Sequence, residues 1–298
     1  MTTTARRRRP ARSHLRRSRG LNMALLLVAT LLVLFPFLWM VSIAFTPADQ
    51  AFRDVSLFPS DPTLENFTTA LTVGNLDRAF LNSTVVALVA VATNCVVTVS
   101  AGYAFAHLPF RGSTVLFYCL LATAAIPVAV TLIPLFLMVS SVPFAGGNDA
   151  LGRGGSGLID TLGGLSIPYL VGTMSIFLAR QFFLSMSRDL AEAARIDGAS
   201  ELRIFRSVYL PLSPPIIAVV AIFAFTGVWD DLLWPLVISS SPRSQTVQLA
   251  LTGFSQSGNI QYGPLMAAAL LVTLPVLVVF LFNQRHFISG LSEGAVKG

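Results

Sequence analysis

The sequence predicts an all-α membrane protein whose six transmembrane helices carry one charged loop on the cytoplasmic side. Three observations lead there. Of 298 residues, 54% are hydrophobic and 11% charged, whereas a soluble globular domain carries about 25% charge. Six apolar runs approach the roughly 20 residues needed to cross about 30 Å of hydrocarbon at 1.5 Å per residue. Positive charge is strongly biased to one side of those runs.

The runs are Leu21 to Phe45, Leu81 to Ala106, Ser113 to Ser140, Leu165 to Leu184, Pro214 to Ile238 and Gly263 to Phe282. They form one permease-sized domain over 21–298, preceded by a basic tail at 1–20. Pro36, Pro127, Pro134, Pro168, Pro235 and Pro275 fall within or near the ends of spans. Membrane helices tolerate proline where neighbours or cavity water satisfy the freed carbonyls, so this density is read either as bent helices around a pathway or as ordinary kinking.

Lys and Arg are retained on the cytoplasmic side. With the N-terminus inside, the inner segments hold Arg6, Arg7, Arg8, Arg9, Arg12, Arg16, Arg17, Arg19, Arg111, Arg180, Arg188, Arg195, Arg203, Arg206, Arg285 and Lys297, against Arg53, Arg78, Arg153 and Arg243 outside. Both termini are therefore expected in the cytoplasm. The arginines of the tail have no aromatic or folded nucleic-acid module beside them and are read as an orientation signal touching anionic lipid, not as a nucleic-acid arm. The first run is too long for the 7–15 residue core of a signal peptide and no small-x-small site closes it, so it is expected to stay as an anchor.

Several chemistries are excluded or left without support. The only lysine is Lys297, so no phosphate-binding loop ending in Gly-Lys-Ser/Thr exists and this chain holds no Walker-type ATPase site. Cys95 and Cys119 lie in apolar runs, where a thiol acts as a small hydrophobe. His14, His107 and His286 are scattered, with no His-Glu-x-x-His and no Gly-x-Ser-x-Gly. No metal and no catalytic residues are expected.

The inner loop 186–211 is the most informative stretch. Ser187 is placed to cap a first helix with Asp189 in its first turn, Ala191 to Ala194 favour helix, and Gly198 suits a left-handed terminating residue. Ser200 then opens a second helix with Leu202, Phe205 and Val208 spaced as one apolar ridge, until Pro211 halts it. Such a piece is short, stiff, and charged on its water side, as if made to be gripped by a partner.

The residues Glu192-Ala193-Ala194-Arg195-Ile196-Asp197-Gly198-Ala199, followed by Phe205 and Leu210-Pro211, closely resemble the "EAA" loop of permease subunits in binding-protein-dependent ABC importers. Further stretches resemble the carbohydrate branch, the maltose-permease-like six-span subunits: Leu34 to Met40, Pro62 to Phe67, Phe80 to Thr84, Ile126-Pro127 to Pro134-Leu135, Gly157 to Thr161, Ile167-Pro168-Tyr169, Trp229 to Leu236 and Gly294 to Gly298. Two features depart from the family pattern. Asp230 and Asp231 stand together where Asn and an acid are usual, and the Gly-rich outer stretch 146–157 is longer than expected.

The resemblance implies a type I ABC importer permease fold in a bacterial or archaeal cytoplasmic membrane. It implies a coupling helix gripped by an ATP-binding subunit dimer through Glu192, Ala193, Ala194, Asp197, Gly198, Ala199, Phe205, Leu210 and Pro211. It further implies a second permease subunit forming a heterodimer, and an extracytoplasmic sugar-binding lipoprotein or periplasmic protein. ATP and Mg would be bound by the partner ATPase, with no cofactor in this chain.

Asp230 lies sixteen residues beyond Pro214, roughly 24 Å along a helix, so both acids sit in the outer part of the bilayer. An ionised acid at a helix centre costs about 2.5–3.5 kcal/mol, so these two must face a cavity, a partner or water. Adjacent helical residues point about 100° apart, so one can line a path while the other caps or pairs. One reading has Asp230 or Asp231 accept from sugar hydroxyls with Trp229 or Trp234 offering an aromatic face; the other is an interfacial belt of tryptophans and water-facing acids. Apart from Arg180 the spans hold no cation for an acidic cargo, which suits a neutral sugar or polyol. The alternative function is an ion-gradient-driven secondary sugar transporter with the acids as proton carriers, which leaves the inner loop unexplained.

Overall fold

The computed structural model describes residues 12–47, 50, 57–255 and 260–295, with only the backbone described at 12–19 and 285–295. Most of the basic tail and the last three residues lie outside that set. Among the described residues all regular structure is helical.

Helix α1 (Arg12–Phe45) runs unbroken through Pro36. A short α2 (Glu65–Thr72) then leads into the long α3 (Leu76–His107). The third apolar run is two helices, α4 (Ser113–Thr123) and α5 (Val128–Ser140). The fourth is α6 (Leu162–Ser166), a 3-10 turn over Ile167–Tyr169, and α7 (Thr173–Leu184). The inner loop holds α8 (Asp189–Ile196) and α9 (Glu201–Ile204). The fifth run is α10 (Pro214–Trp229) and α11 (Leu233–Ile238), followed by α12 (Val247–Gly253) and the long α13 (Tyr262–Ala295). Three helices, in α1, α3 and α13, are long and apolar enough to cross a membrane unbroken. Three bent pairs bring the count to six by length and composition.

The third run departs most from a single span. α4 and α5 meet at 101°, because residues 124–126 form a tight turn and Pro127, which has no N–H to continue a helix, sits at the N-cap of α5. Pro36, Pro134 and Pro275 interrupt nothing, each being inside a helix.

Helix α3 is the central post, packed against α7 and α10. It approaches α7 where Gly102 faces Ala179, so closely that a Cβ on residue 102 would lie 2.4 Å from the Ala179 methyl. Small residues at such crossings let membrane helices gain van der Waals contact that water-driven burial does not provide in lipid. Asn94 of α3 clamps the break in the fourth run: its amide donates to the Tyr169 carbonyl at 2.7 Å and its Oδ1 accepts from Gly172 N–H at 2.8 Å.

Polar side chains organise the outer end. Asn66 donates to the Ala44 and Thr46 carbonyls at 3.0 and 2.8 Å, satisfying acceptors freed at the end of α1. Asn82 donates to the Arg243 and Gln245 carbonyls at 2.9 Å each, and Ser83 Oγ accepts from Val247 N–H. The Gly-rich stretch folds around Asn148, which donates to the carbonyls of Ser140 and Val142 and accepts from Gly155 N–H. By contrast, the apolar side chains of α1 from Leu21 to Phe37 are exposed along the whole face of the chain, which in hydrocarbon is no penalty.

Candidate functional site

The inner loop folds as a rigid hairpin. Ser187 Oγ accepts from Asp189 N–H at 3.2 Å, although the N-cap position itself is Arg188. Asp189 and Glu192 occupy the first turn of α8, where the helix dipole favours acids, and Arg195 the last. The helix ends on Gly198 at φ +79. Gly198 N–H donates to the Arg195 carbonyl and Ala199 N–H to the Ala194 carbonyl, both at 3.0 Å. This is the paired bonding of a Schellman termination, which requires a left-handed residue at that point. Ser200 stands at the N-cap of α9 with extended backbone but makes no side-chain cap.

Arg195 and Glu201 lock the two arms together. The guanidinium donates from Nε at 2.7 Å and from a terminal nitrogen at 3.2 Å to the two carboxylate oxygens. Hydrogen bonding to Arg195 holds the Glu201 carboxyl below the usual carboxylate range, and the same bond raises the Arg195 guanidinium. The bidentate fork fixes direction as well as distance.

The ridge expected from Leu202, Phe205 and Val208 is corrected. Leu202 is 57% exposed, while Ile204 and Tyr209 are fully buried and Phe205 and Val208 partly so. The cause is a π turn over Phe205–Tyr209 and a 3-10 turn over Leu210–Leu212, which shift the helical phase. These turns bend the chain by 80° into α10. Pro211 lies in the 3-10 turn, beside exposed solvent, and Leu210 is half-buried.

The hairpin thus has two faces. Ala191 is buried, and Ala194, Ala199 and Phe205 are partly covered, against a core of α3, α7 and α10 residues including Val99, Tyr103, Phe183 and Val220. Glu192, Ala193, Asp197 and Gly198 face outward, with Ile196 86% exposed beside them. The inner joint is aromatic. The Phe205 ring lies 4.8 Å from that of Tyr103, and Tyr209 lies 5.1 Å from Tyr103 and 4.6 Å from His107. His107 Nε2 donates to the Phe183 carbonyl at 3.0 Å, tying α3 to α7 at the same point. Tyr103, His107 and Ile196 were not singled out from sequence. Only the exposed apolar Ile196 within a charged helix carried a local signal.

At the outer end, the two adjacent acids are used differently. Asp231 accepts from Tyr169 Oη at 2.5 Å and from Leu233 N–H at 2.8 Å, so it bridges the fourth run to the start of α11. Asp230, the C-cap of α10, is exposed and no side-chain bond engages it. The expectation that Trp229 or Trp234 offers an open aromatic face is corrected: they are 1% and 2% exposed. Trp229 stacks on Phe225 with centroids 5.0 Å apart and donates to the Val272 carbonyl; Trp234 donates to the Gly164 carbonyl. Both indoles are packing residues that join spans, since each buries its apolar body and satisfies its one donor.

Residues 97–292 match the family described as the inner membrane component of binding-protein-dependent transport systems. The chain is 30% identical over 293 residues to the diacetylchitobiose uptake system permease protein NgcG of Streptomyces coelicolor, covering 97% of this chain and 92% of the relative. It is 29% identical to the arabinooligosaccharides transport system permease protein AraQ of Bacillus subtilis, covering 91% and 93%. In fold it is similar to a chain of a bacterial ABC transporter involved in the import of the acidic polysaccharide alginate, with a TM-score of 0.77 at 22% identity over 94% of this chain and 99% of that one. With hairpin, spans and matched residues in agreement, the chain belongs to the family of inner membrane components of binding-protein-dependent transport systems.

Proposed function

We propose that this chain is one permease subunit of an ATP-driven importer for a neutral sugar or polyol, and that its inner hairpin is where a separate ATP-binding dimer takes hold. The observation that carries the reading is the division of the hairpin. Glu192, Ala193, Ile196 and Asp197 face outward, on a piece clasped by Arg195–Glu201 whose other face is seated among α3 and α7. A partner that closes on the outer face moves a stiff lever, and Phe205 and Tyr209 pass that displacement to Tyr103 and His107 on α3. Transport follows only if the partner binds one conformation of the hairpin more tightly than the other.

The cargo class rests on the sugar permeases among the relatives and on the scarcity of cations in the spans. Arg180 is at the inner end of the fourth run, and no other Arg or Lys lies between residues 81–106, 113–140, 165–184 or 214–238 apart from Arg180. A second permease subunit would complete the path, and an extracytoplasmic sugar-binding protein would deliver cargo to the outer face. The membrane is the bacterial or archaeal cytoplasmic membrane with both termini inside, by the arginine bias.

Uptake into proteoliposomes tests the reading. The assembled importer should require ATP and the binding protein and ignore a protonophore. Accumulation by this chain alone, abolished by a protonophore, would favour the secondary-transporter alternative, for which Asp230 would be the free acid.

A further inference from the structure

A cavity of about 500 Å³ lies at the inner end of the bundle, where α3, α4 and α7 meet the hairpin. That is within the roughly 300–1,000 Å³ range of small-ligand pockets. Arg180 of α7, Ser113 at the first residue of α4, and Arg188, Glu192 and Arg195 of the hairpin contribute to its wall. Among the described residues the one ion pair is Arg195–Glu201. Arg180 and Arg188 therefore share the cavity with a single unpaired carboxylate, that of Glu192.

Arg180 is the informative residue. It is half-buried, with its guanidinium 4.3 Å from the centre of the Phe117 ring. A guanidinium has five N–H donors and no acceptor. Arg180 uses one, from Nε to the Phe105 carbonyl at 3.3 Å. Its four terminal N–H groups have no acceptor among the described residues. Stacking on an aromatic face offsets part of the cost of placing this cation at the membrane border, but leaves the planar fork free. A phosphate group supplies what is missing: two oxygens matched to a bidentate fork, and negative charge. The first turn of the eleven-residue α4 adds N–H groups with no carbonyl behind them in the helix. A neutral sugar in the same place would leave the guanidinium charge without a counter-charge.

We propose that this cavity binds a phosphate group, carried by the headgroup of an acidic phospholipid or by a soluble phosphate ester, with Arg180 and Arg188 as its main ligands. Arg180 belongs to a span and Arg188 to the hairpin, so an occupant bridges the lever to the helix it moves. Binding is a property of this chain by itself and does not rest on the coupling assignment.

The test is native mass spectrometry of the full-length chain in detergent, titrated with phosphatidylglycerol, phosphatidylcholine or glycerol 3-phosphate. The wild type should retain one phosphatidylglycerol in preference to phosphatidylcholine. The double variant Arg180→Gln/Arg188→Gln should bind it at least tenfold more weakly. The arginine-rich N-terminal tail is common to both, so binding there cancels in the comparison. Displacement of the lipid by glycerol 3-phosphate identifies a soluble ester as a sufficient occupant; resistance to it identifies the lipid headgroup. Arg188 is exposed, so Arg188→Gln alone tests the site without risk to folding and should weaken binding several-fold. Equal retention by wild type and both variants, or no preference over phosphatidylcholine, overturns the proposal.

Discussion

Phe205 of the hairpin and Tyr103 of α3 stand ring against ring with centroids 4.8 Å apart, in a cluster that also holds Tyr209, His107 and Phe183. Aromatic pairs at this separation gain about 0.5–1.5 kcal/mol beyond area burial and resist sliding. Phe205→Ala removes the pair and opens space at a partly buried site. It should destabilise the joint by about 2 kcal/mol, less than the ~3–5 of a fully buried phenylalanine. The expected phenotype is uncoupling: an assembled importer that retains its ATPase subunits and hydrolyses ATP, but takes up sugar several-fold more slowly. Uptake and hydrolysis measured on one preparation check this, and proportional loss of both would place the defect elsewhere.

Gly198 separates conformational strain from crowding. It has φ +79, and nothing lies within 4 Å of where its Cβ would be. Gly198→Val therefore suffers only from the backbone, at about 1–2 kcal/mol for a left-handed conformation, and should shed the ATPase in detergent. Gly198→Asn should co-purify with nearly wild-type yield, because asparagine tolerates that region. Equal loss in both would mean that the outer surface here, not the turn, is what the partner reads.

The spans and the hairpin are readable in the sequence because apolar run length, arginine bias and the Gly198 stop are local signals. What breaks a span is less so. The fourth run bends by 43° between Tyr169 and Thr173, where Asn94, some 75 residues away in sequence, takes over both loose backbone groups. The fifth run breaks after Trp229 although apolar sequence continues to Ile238, because Asp231 accepts the Leu233 N–H and starts a new helix. The phase of the ridge was misplaced for a related reason: a π turn rotates the face presented after Ile204, and nothing in the spacing of Leu202, Phe205 and Val208 announces it. Trp229 and Trp234 illustrate a different limit. Position near the outer interface suits a belt or a binding face equally, and only their contacts show that they join spans.

Asp160 makes the outer loop sensitive to acid. It sits at φ +60 and accepts from the backbone N–H groups of Ser240 and Ser241 at 2.9 and 3.0 Å, from Ser241 Oγ at 2.7 Å and from Ser244 Oγ. Burial opposes its charge, but these hydrogen bonds outweigh it and hold the carboxyl below its ordinary value. A depressed folded-state pKa contributes stability that is present above the unfolded value and lost as pH falls through the folded one. Hydrogen-exchange protection at Ser240 and Ser241 should therefore be flat through neutral pH and fall in acid below the usual aspartate range. Asp160→Asn should show weaker protection with no acid transition. Persistence of that transition in the variant would assign it to another group.

The bond from Tyr169 to Asp231 ties the fourth run to the break in the fifth, while Asp230 beside it stays exposed. A hydrogen bond to a charged acceptor is worth about 1.5–3 kcal/mol. Tyr169→Phe and Asp231→Ala should each lower thermal stability, and the double variant should add little to the worse single one, since both break the same contact. Asp231→Asn keeps both acceptor contacts in reach and should lie close to wild type. Asp230→Asn touches no internal bond and should leave stability alone while changing the uptake rate or the range of sugars carried. If Asp230→Asn transports as wild type while Asp231→Ala does not, the acids serve the architecture of the break and the path is lined by other residues. If instead Asp230→Asn abolishes a protonophore-sensitive uptake, the gradient-driven alternative regains its carrier.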